Sequence, residues 1–297
     1  MSGGPDSVGL LYLLIALKKE FSLFLCIGHF DHGLRKDSAQ DCAFVKKLGE
    51  SVGIPVIAGK TNLRDAILRG SVEENARKAR IEFFCRTAKK LNADFVALGH
   101  TEDDQAETVI MRLLRGSGLQ GLRAIQLKKT LNGVVFIRPL LCSRRKDILA
   151  YLKKRKAAFR VDPTNKEDIY FRNKIRHLLL HDLEKKYNRN IIEVLSNFAE
   201  VAGQDYDFLN NEAEKEFNRM KGVLNTACLK TLHPAIFRLV IRLAISRAQH
   251  DTRRITYRHM KEIEDMIYNR PVNSVVNLPQ GLSVTKGKTS VLFDLKK

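Results

Sequence analysis

The chain has 297 residues, enough for a large hydrophobic core and for one or two domains. Its 52 lysines and arginines against 33 acidic residues give a formal net charge of +19, which favours a polyanionic partner such as nucleic acid. No apolar run is long enough to span a bilayer, and the five cysteines form no C-x-x-C pair, so a membrane protein, a zinc ribbon and a disulfide framework are not expected. We therefore expect a cytoplasmic protein with reduced thiols.

The first residues form a short polar turn before the apolar run Val8–Leu17, which predicts a helix. The turn consists of Ser2, Gly3, Gly4, Pro5, Asp6 and Ser7. Two glycines allow backbone N–H groups to approach an oxyanion, and the N-terminus of the following helix attracts the same charge. A carboxylate at Asp6 would repel phosphate unless it holds a divalent cation that the phosphate also contacts. An ordinary turn before a helix is the alternative.

Strand-like and helix-like segments alternate over residues 1–141. The predicted strands are Ser22–His29, Pro55–Ala58, Asp94–Leu98 and Val134–Ile137. Helices are predicted around Cys42–Val52, over Val72–Leu91 and over Asp104–Leu114. This alternation predicts parallel βαβ units, and hence an α/β fold with a parallel sheet and helices on both faces. Ligands of such sheets bind at the carboxyl ends of the strands.

The sequence changes character after Ser143. A charged helix is predicted over Arg144–Lys156, and its end carries Lys153, Lys154, Arg155 and Lys156. Residues 188–269 have a helical pattern with few turn signals, and the tail predicts a small β element with a turn near Gly287. We expect a first domain at residues 1–180 and a mainly helical second domain with a short β tail at residues 181–297.

Three polar residues follow the strand predicted at Asp94–Leu98. They are His100, Asp104 and Glu107, of which the last two share one face of a helix. In the functional interpretation, Asp104 coordinates a metal ion, Glu107 recognises the amine of a substrate, and His100 lies beside a triphosphate. The alternative is that acidic residues at a helix start only cap the helix and complement its dipole.

Other basic residues have two interpretations each. His32 or Arg35 either contacts a nucleotide at the end of the first strand or belongs to a polar loop. Arg77 either approaches the site or lies in an ordinary capped helix start. Arg115 precedes a loop with three glycines in six residues, which indicates a loop shaped around a ligand, although a helix cap would explain one glycine.

The motifs S-G-G-P-D-S and G-H-T-E-D-D-Q-A-E-T, about a hundred residues apart, resemble the N-type ATP pyrophosphatases, the PP-loop superfamily. No G-x-x-x-x-G-K-S/T loop is present. The segments H-F-D-H-G-L-R, S-V-E-E-N-A-R, R-P-L-L and R-N-K-I-R-H occur in the order typical of the tRNA(Ile)-lysidine synthetase family. The resemblance covers roughly residues 1–180, and N-L-P-Q-G-L in the tail resembles that family's second domain.

The resemblance implies an adenine nucleotide alpha hydrolase-like, Rossmann-like fold and a two-step ligation. ATP adenylates the wobble cytidine of the CAU-anticodon isoleucine tRNA and releases pyrophosphate, and free L-lysine then displaces AMP to form lysidine. Four residues are implied in catalysis: Asp6, Asp104, His100 and Arg172. ATP is implied to bind Ser2, Gly3, Gly4, Pro5, Asp6, Ser7 and His32, with Mg²⁺ on Asp6 and Asp104. Lysine is implied to bind Glu107, Arg77 and Arg115.

Three other classes of protein compete with this interpretation. Adenylating glutamine-dependent amidotransferases share S-G-G-x-D-S but do not explain R-N-K-I-R-H or the basic helical half. A PP-loop tRNA thiolation enzyme would need cysteines that carry sulfur, often as C-x-x-C pairs, and the sequence has none. A non-catalytic RNA-binding protein would explain the charge of +19 but not Asp6, Asp104 and Glu107. The second domain is expected to bind tRNA phosphates. The sequence does not decide whether the protein forms a homodimer.

A PP-loop normally follows a strand, yet only Met1 precedes Ser2. We therefore expect that the true start lies upstream. A gap or groove is then expected beside the strand at Ser22–His29 or the one at Asp94–Leu98.

Overall fold

A computed structural model describes residues 1–31, 33, 38–60, 72–161 and 171–295. These residues form two compact units, Met1–Val201 and Ala202–Lys297. The expectations for His32 and Arg35 fall outside the described residues. Among the helices in these ranges, none is both long and apolar enough to cross a membrane.

The first unit alternates helices and strands up to residue 137. Its helices there are α1 (Pro5–Leu17), α2 (Ser38–Val52), α3 (Val72–Lys90), α4 (Glu102–Leu114) and α5 (Leu119–Leu122). Its strands are β1 (Ile27–Asp31), β2 (Val56–Lys60), β3 (Phe95–Ala97), β4 (Lys128–Leu131) and β5 (Val134–Ile137). The α/β alternation predicted from the sequence is confirmed.

The strands form two separate sheets. In one, β1 pairs with β2 in parallel; in the other, β5 pairs in parallel with β3 and antiparallel with β4. One predicted strand begins at a different residue, and one strand was missed. The first strand begins at Ile27 and not at Ser22, because Ser22 has a positive φ of 48° and Phe24 is fully exposed. The antiparallel strand β4 was not predicted.

The helices cover the sheets with apolar faces. α1 packs on α6 (Arg145–Lys154), where Gly9 lies so close to Ile148 that an added Cβ would be 2.4 Å from its Cγ2. Val8, Leu11 and Leu152 are buried in the same core cluster. This packing fixes the start of α1, and with it the polar turn that precedes the helix.

The polar turn lies beside both sheets. The Met1 ammonium donates to the carbonyl of Gly28, and His29 Nδ1 donates to the Met1 carbonyl at 2.8 Å. On the other side, a Cβ on Gly99 would lie 2.9 Å from the backbone oxygen of Asp6. No strand among the described residues joins β1 to β3 by hydrogen bonds. The expectation about the true start of the protein stays a prediction.

The segment after residue 170 packs against α4. α7 (Phe171–Lys174) continues through a wider π-type turn (Ile175–Leu180) into α8 (His181–Lys186) and α9 (Ile191–Arg219). Ala106 and Ile110 of α4 pack against an apolar set from this stretch: Ile175, Leu180, Leu183, Ile192 and Leu195. The first compact unit ends at Val201, because helices beyond residue 180 complete its core. The domain boundary expected at residue 180 stays a prediction.

The second unit is helical with a small sheet, as predicted. It contains the end of α9, α10 (Thr226–Thr231), α11 (Pro234–Gln249) and α12 (Tyr257–Asn269). The strands β6 (Leu224–Asn225), β7 (Val275–Asn277), β8 (Leu282–Lys286) and β9 (Ser290–Leu295) form an antiparallel sheet in the order β6-β9-β8-β7. Phe237, Ile241, Ile263, Met266 and Val284 are core residues between helices and sheet. The turn predicted near Gly287 joins β8 to β9.

Candidate active site

The polar turn has the geometry of an anion-binding loop. Gly3 has a φ of +83°, a left-handed conformation that favours glycine, and Pro5 occupies the first turn of α1. Ser7 Oγ donates to the Gly4 carbonyl at 2.9 Å and lies 3.2 Å from Ser2 Oγ. No side chain caps the start of α1, so its first N–H groups are available to an anion.

Asp6 is a half-buried carboxylate, and one of its oxygens is buried without a hydrogen-bond partner. Its Oδ2 lies 3.3 Å from an Arg145 guanidinium nitrogen, whereas its buried Oδ1 has no hydrogen-bond partner. Burial raises the pKa of Asp6 to about 6; Arg145 opposes this rise and Asp104 adds to it. A buried oxygen without a donor, beside a helix N-terminus that attracts phosphate, is suited to a cation shared with that phosphate.

Arg145 reaches Asp6 because α4 holds the start of α6. The backbone N–H of Arg145 donates to Asp103 Oδ2 at 2.7 Å, and the backbone N–H of Glu102 donates to the Ser143 carbonyl at 3.0 Å. Arg144 lies 3.5 Å from Asp103 and 3.2 Å from Glu184. Asp103 therefore caps α6 from a neighbouring helix and fixes the direction of the following side chain.

Asp104 stabilises its own helix and also contacts two arginines. Its Oδ2 accepts the backbone N–H and the hydroxyl of Thr101 at 3.0 and 3.3 Å, and Thr101 caps α4 in return. Its Oδ1 accepts from Arg172 at 2.9 Å and from Arg176 at 3.4 Å. Asp104 therefore caps its helix, which was the alternative interpretation of the sequence. It also contacts the two arginines on the other side of the site.

Glu107 is the most deeply buried acid of the site, with 1% of its surface exposed. Arg172 Nε donates to its Oε2 at 2.6 Å, and Arg176 donates to Oε1 at 2.5 Å and to Oε2 at 3.1 Å. Burial of a carboxylate is tolerated because two guanidinium groups neutralise it. The amine of a substrate would therefore meet a carboxylate that two arginines already hold.

Of the two residues predicted to hold Mg²⁺, Asp6 is better suited to the ion than Asp104. Within the described part of the chain, no group of three or more metal-ligating side chains is found. Mg²⁺ needs only one or two carboxylates when phosphate oxygens and waters complete its shell. Asp6 Oδ1 meets that need, whereas all four acceptor positions of Asp104 are filled by Thr101, Arg172 and Arg176. Asp104 could bind a cation only after an arginine leaves its Oδ1.

His100 and Arg138 each have a buried nitrogen without a partner. These are His100 Nδ1 and Arg138 Nε, although Arg138 also donates to the Gln126 carbonyl at 2.6 Å. Burial lowers the pKa of His100 to about 4; Asp104 opposes the shift, and Arg138, Arg172 and Arg77 add to it. His100 is therefore neutral at pH 7, with hydrogen-bonding capacity to spare.

Basic residues around Arg138 form a group that we call the cationic cluster: Arg77, Arg80, Arg112, Lys129 and Arg138. Burial, and then repulsion from Arg77, lowers the pKa of Arg80 and Arg138. For Lys129 and Arg112 burial is again the first cause, followed by neighbouring arginines. None of the five has a carboxylate ion pair among the described residues. Such a cluster attracts an anion.

The structure thus brings Asp6, His100, Asp104, Glu107 and Arg172 together. Of the residues implied for lysine, Arg77 joins the cationic cluster, and Arg115 lies over the Phe171 ring at 5.6 Å. Sequence reasoning assigned no role to Arg138, Arg145 and Arg176. Arg138 and Arg176 stand in R-P-L-L and R-N-K-I-R-H, so the signal was there, whereas nothing in the sequence singled out Arg145.

The chain is similar in sequence to known proteins over most of its length. Residues 1–183 match the family described as the PP-loop domain. A tRNA(Ile)-lysidine synthase of Clostridioides difficile (strain 630) is 36% identical over 303 residues, which cover 99% of this chain and 65% of that protein. One of Solibacter usitatus (strain Ellin6076) is 37% identical over 273 residues, covering 90% of this chain and 60% of that protein.

A solved structure shares the fold. The U34-tRNA thiolase NcsA from Methanococcus maripaludis, determined with its 4Fe-4S cluster, superposes with a TM-score of 0.56 at 22% identity, covering 67% of this chain and 70% of that one. The chain spans 65% and 64% of the length of the first two curated relatives that it matches. The resemblance predicted from the sequence is confirmed: the chain belongs to the PP-loop domain family, and the curated relatives that it matches are tRNA(Ile)-lysidine synthases.

Proposed function

We propose that this chain carries out the ATP-dependent ligation of free L-lysine to the wobble cytidine of a CAU-anticodon isoleucine tRNA. The base carbonyl oxygen attacks the α-phosphorus of ATP, the bond to the bridging oxygen breaks, and pyrophosphate leaves. The ε-amine of lysine then attacks the activated ring carbon, loses a proton, and AMP leaves. The observation that supports this proposal most is the open, buried Oδ1 of Asp6 beside the uncapped start of α1.

Each part of the site has a task in this proposal. The N–H groups of the polar turn and of α1 bind the phosphates that become pyrophosphate, where developing negative charge gains most. Asp6 would hold Mg²⁺, which neutralises the leaving group when bound. Arg172 forms ion pairs with Asp104 and Glu107. It is proposed to contact the reacting phosphate.

Lysine must present a neutral amine and a carboxylate. Arg77 of the cationic cluster, and Arg115 at the end of α4, are proposed to attract the carboxylate, since neither has a carboxylate partner among the described residues. A contact between the amine and Glu107 also stays a proposal; it requires that Arg172 first leave Glu107 Oε2. His100, which is neutral at pH 7 and has a buried Nδ1 without a partner, is proposed to form a hydrogen bond with a substrate near Asp104.

The tRNA is proposed to bind through its phosphates. Lys153, Lys154, Arg155 and Lys156 are all exposed at the end of α6, and the net charge of +19 acts in the same direction. The thiolation alternative has less support, because the five cysteines are widely spaced in the sequence and form no C-x-x-C pair. A non-catalytic RNA-binding protein would have no need of an Asp6 Oδ1 that is buried without a hydrogen-bond partner.

The test is a labelling experiment with the chain as it stands. The protein is incubated with ATP, Mg²⁺, labelled lysine and the CAU-anticodon isoleucine tRNA, with methionine tRNA as the matched control because it has the same anticodon letters. Label should enter only the isoleucine tRNA, and pyrophosphate release should require that tRNA. Pyrophosphate release without tRNA, or label in neither tRNA, would overturn the proposal.

A further inference from the structure

Two arginines four residues apart share the same two acids, but they share them unequally. Arg172 lies on α7 and Arg176 on the π-type turn that follows, a kind of turn that is rare and often found at functional sites. Both donate to Asp104 Oδ1 and to Glu107 Oε2. The differences in their remaining contacts indicate which of the two can move.

Arg176 is the better anchored of the pair. Among the described residues, Arg176 is the donor to Glu107 Oε1, at 2.5 Å. It also donates to Oε2 at 3.1 Å, so it binds that carboxylate in a bidentate manner. Its side chain is 24% exposed. Burial lowers the pKa of Arg176, but the hydrogen bond and charge of Glu107, with Asp104 and Asp6, outweigh burial and raise it.

Arg172 is held by one bond to each acid, and 41% of its side chain is exposed. If Arg172 leaves, Glu107 keeps Arg176 on both oxygens, and Asp104 Oδ1 keeps the contact with Arg176 at 3.4 Å. If Arg176 leaves instead, Glu107 Oε1 loses its donor while remaining buried, which is costly for a carboxylate. Arg172 alone would still contact both acids, so the difference lies at Glu107 Oε1. Only the first of these movements leaves every carboxylate oxygen of the two acids with a donor.

We infer that Arg176 is a positioning residue, which fixes Glu107 and Asp104, and that Arg172 is the member of the pair that turns from Asp104 towards the nucleotide phosphate. This inference rests on the proposed function. It assigns the two arginines of R-N-K-I-R-H different tasks. It also gives Glu107 a task that its complete burial suits, namely holding the guanidinium that stays.

The first test measures binding separately from the rate of reaction. For Arg176→Gln we expect ATP affinity within about twofold of wild type and a single-turnover adenylation rate lowered about 10²-fold, because a small displacement of catalytic groups has that effect. Arg176→Lys should restore little, since one ammonium cannot replace a bidentate fork. Lys174→Gln, an exposed residue of the same helix, is the matched control and should react normally.

The double variant Arg172→Gln/Arg176→Gln shows whether Arg176 acts through Arg172. Its adenylation rate should equal that of Arg172→Gln, because residues that act as a unit are not additive. Multiplied losses would overturn the inference and make Arg176 an independent contact of the substrate. An unchanged rate in Arg176→Gln would overturn it as well. Thermal midpoints of all variants identify any that are partly unfolded.

The second test needs no turnover. In protein labelled with ¹⁵N-arginine, the Nε–Hε signals of the two residues are assigned with Arg172→Lys and Arg176→Lys. Addition of ATP and Mg²⁺ should shift the Arg172 signal and leave the Arg176 signal in place. A shift of the Arg176 signal with Arg172 unmoved would refute the inference alone. A wild-type protein that binds no ATP would count against the proposed function instead.

Discussion

Gly99→Ala places a methyl group against the backbone of the polar turn. The new Cβ would lie 2.9 Å from the Asp6 oxygen, 3.1 Å from the Asp6 carbonyl carbon and 3.3 Å from the Ser7 nitrogen. These atoms are backbone and cannot rotate away, so loop and strand end must separate by about 0.5 Å, the tolerance of a catalytic constellation. The φ of Gly99 is not in the left-handed region, so the contact alone causes the effect. We expect a loss of about 1–3 kcal/mol of stability from overpacking.

Calorimetry and ATP titration together measure this effect. The thermal midpoint should fall by roughly 2–12 °C for a unit of this size, and ATP affinity should fall about tenfold or more because Asp6 and Ser7 move together. Gly118→Ala is the matched control for unfolding, since a Cβ there meets no heavy atom within 4 Å. A Gly99→Ala protein with the midpoint and ATP affinity of wild type would refute the argument that β3 positions the loop.

Two further predictions concern the basic end of α6 and the second unit. Neutral residues at Lys153, Lys154, Arg155 and Lys156 should leave ATP affinity unchanged and lower the slope of log K for tRNA against log salt by about 0.7–0.9 for each lost phosphate contact; an unchanged slope would make these residues a solvated surface. Asn225→Ala should cost about 1 kcal/mol, because the Asn225 side chain caps α10 through Ala227 and Cys228, and Asn225→Asp should retain the cap. Denaturant unfolding compares the two variants, and equal midpoints would contradict the capping role.

Local signals predicted most elements of the fold but missed β4. Its residues, Lys128–Leu131, lack the apolar alternation that predicted the other strands. A signal was nevertheless present in the turn to β5, where Asn132 and Gly133 have φ values of 50° and 77°. Asn-Gly between two strands is the pattern of a type I′ hairpin. The split into two sheets depends on which strands pair, and local periodicity carries no such information.

The acids of the site could be predicted, but their partners could not. Asp104 and Glu107 share a helix face by spacing alone, and Thr101 stands at the capping position before them. Their contacts with Arg172 and Arg176 join residues 65 to 72 positions apart, so they depend on how α7 packs against α4. Arg145 reaches Asp6 for the same reason, through the cap that Asp103 supplies to α6. Tertiary packing thus decides which charges meet.

Asp6→Asn should stabilise the free protein while removing its ability to bind a cation. The folded state holds Asp6 at a pKa of about 6, above the ordinary value of 3.8, so between these values the folded state binds the extra proton. Stability from this group is therefore present at low pH and is lost as pH rises through about 6. Removing the charge is therefore expected to stabilise the free protein above that pH.

The gain follows from removing a charge that burial penalises. After allowance for the lost contact with Arg145, about 1–2 kcal/mol should appear at pH 8, which raises the thermal midpoint by roughly 2–8 °C, and little should appear at pH 4.5. Asp94→Asn, at an exposed position of the same unit, is the control and should change neither midpoint. A midpoint for Asp6→Asn equal to or below wild type at pH 8 would show that Arg145 compensates Asp6 fully. The buried oxygen would then carry no penalty, and its burial would no longer support the proposed cation site.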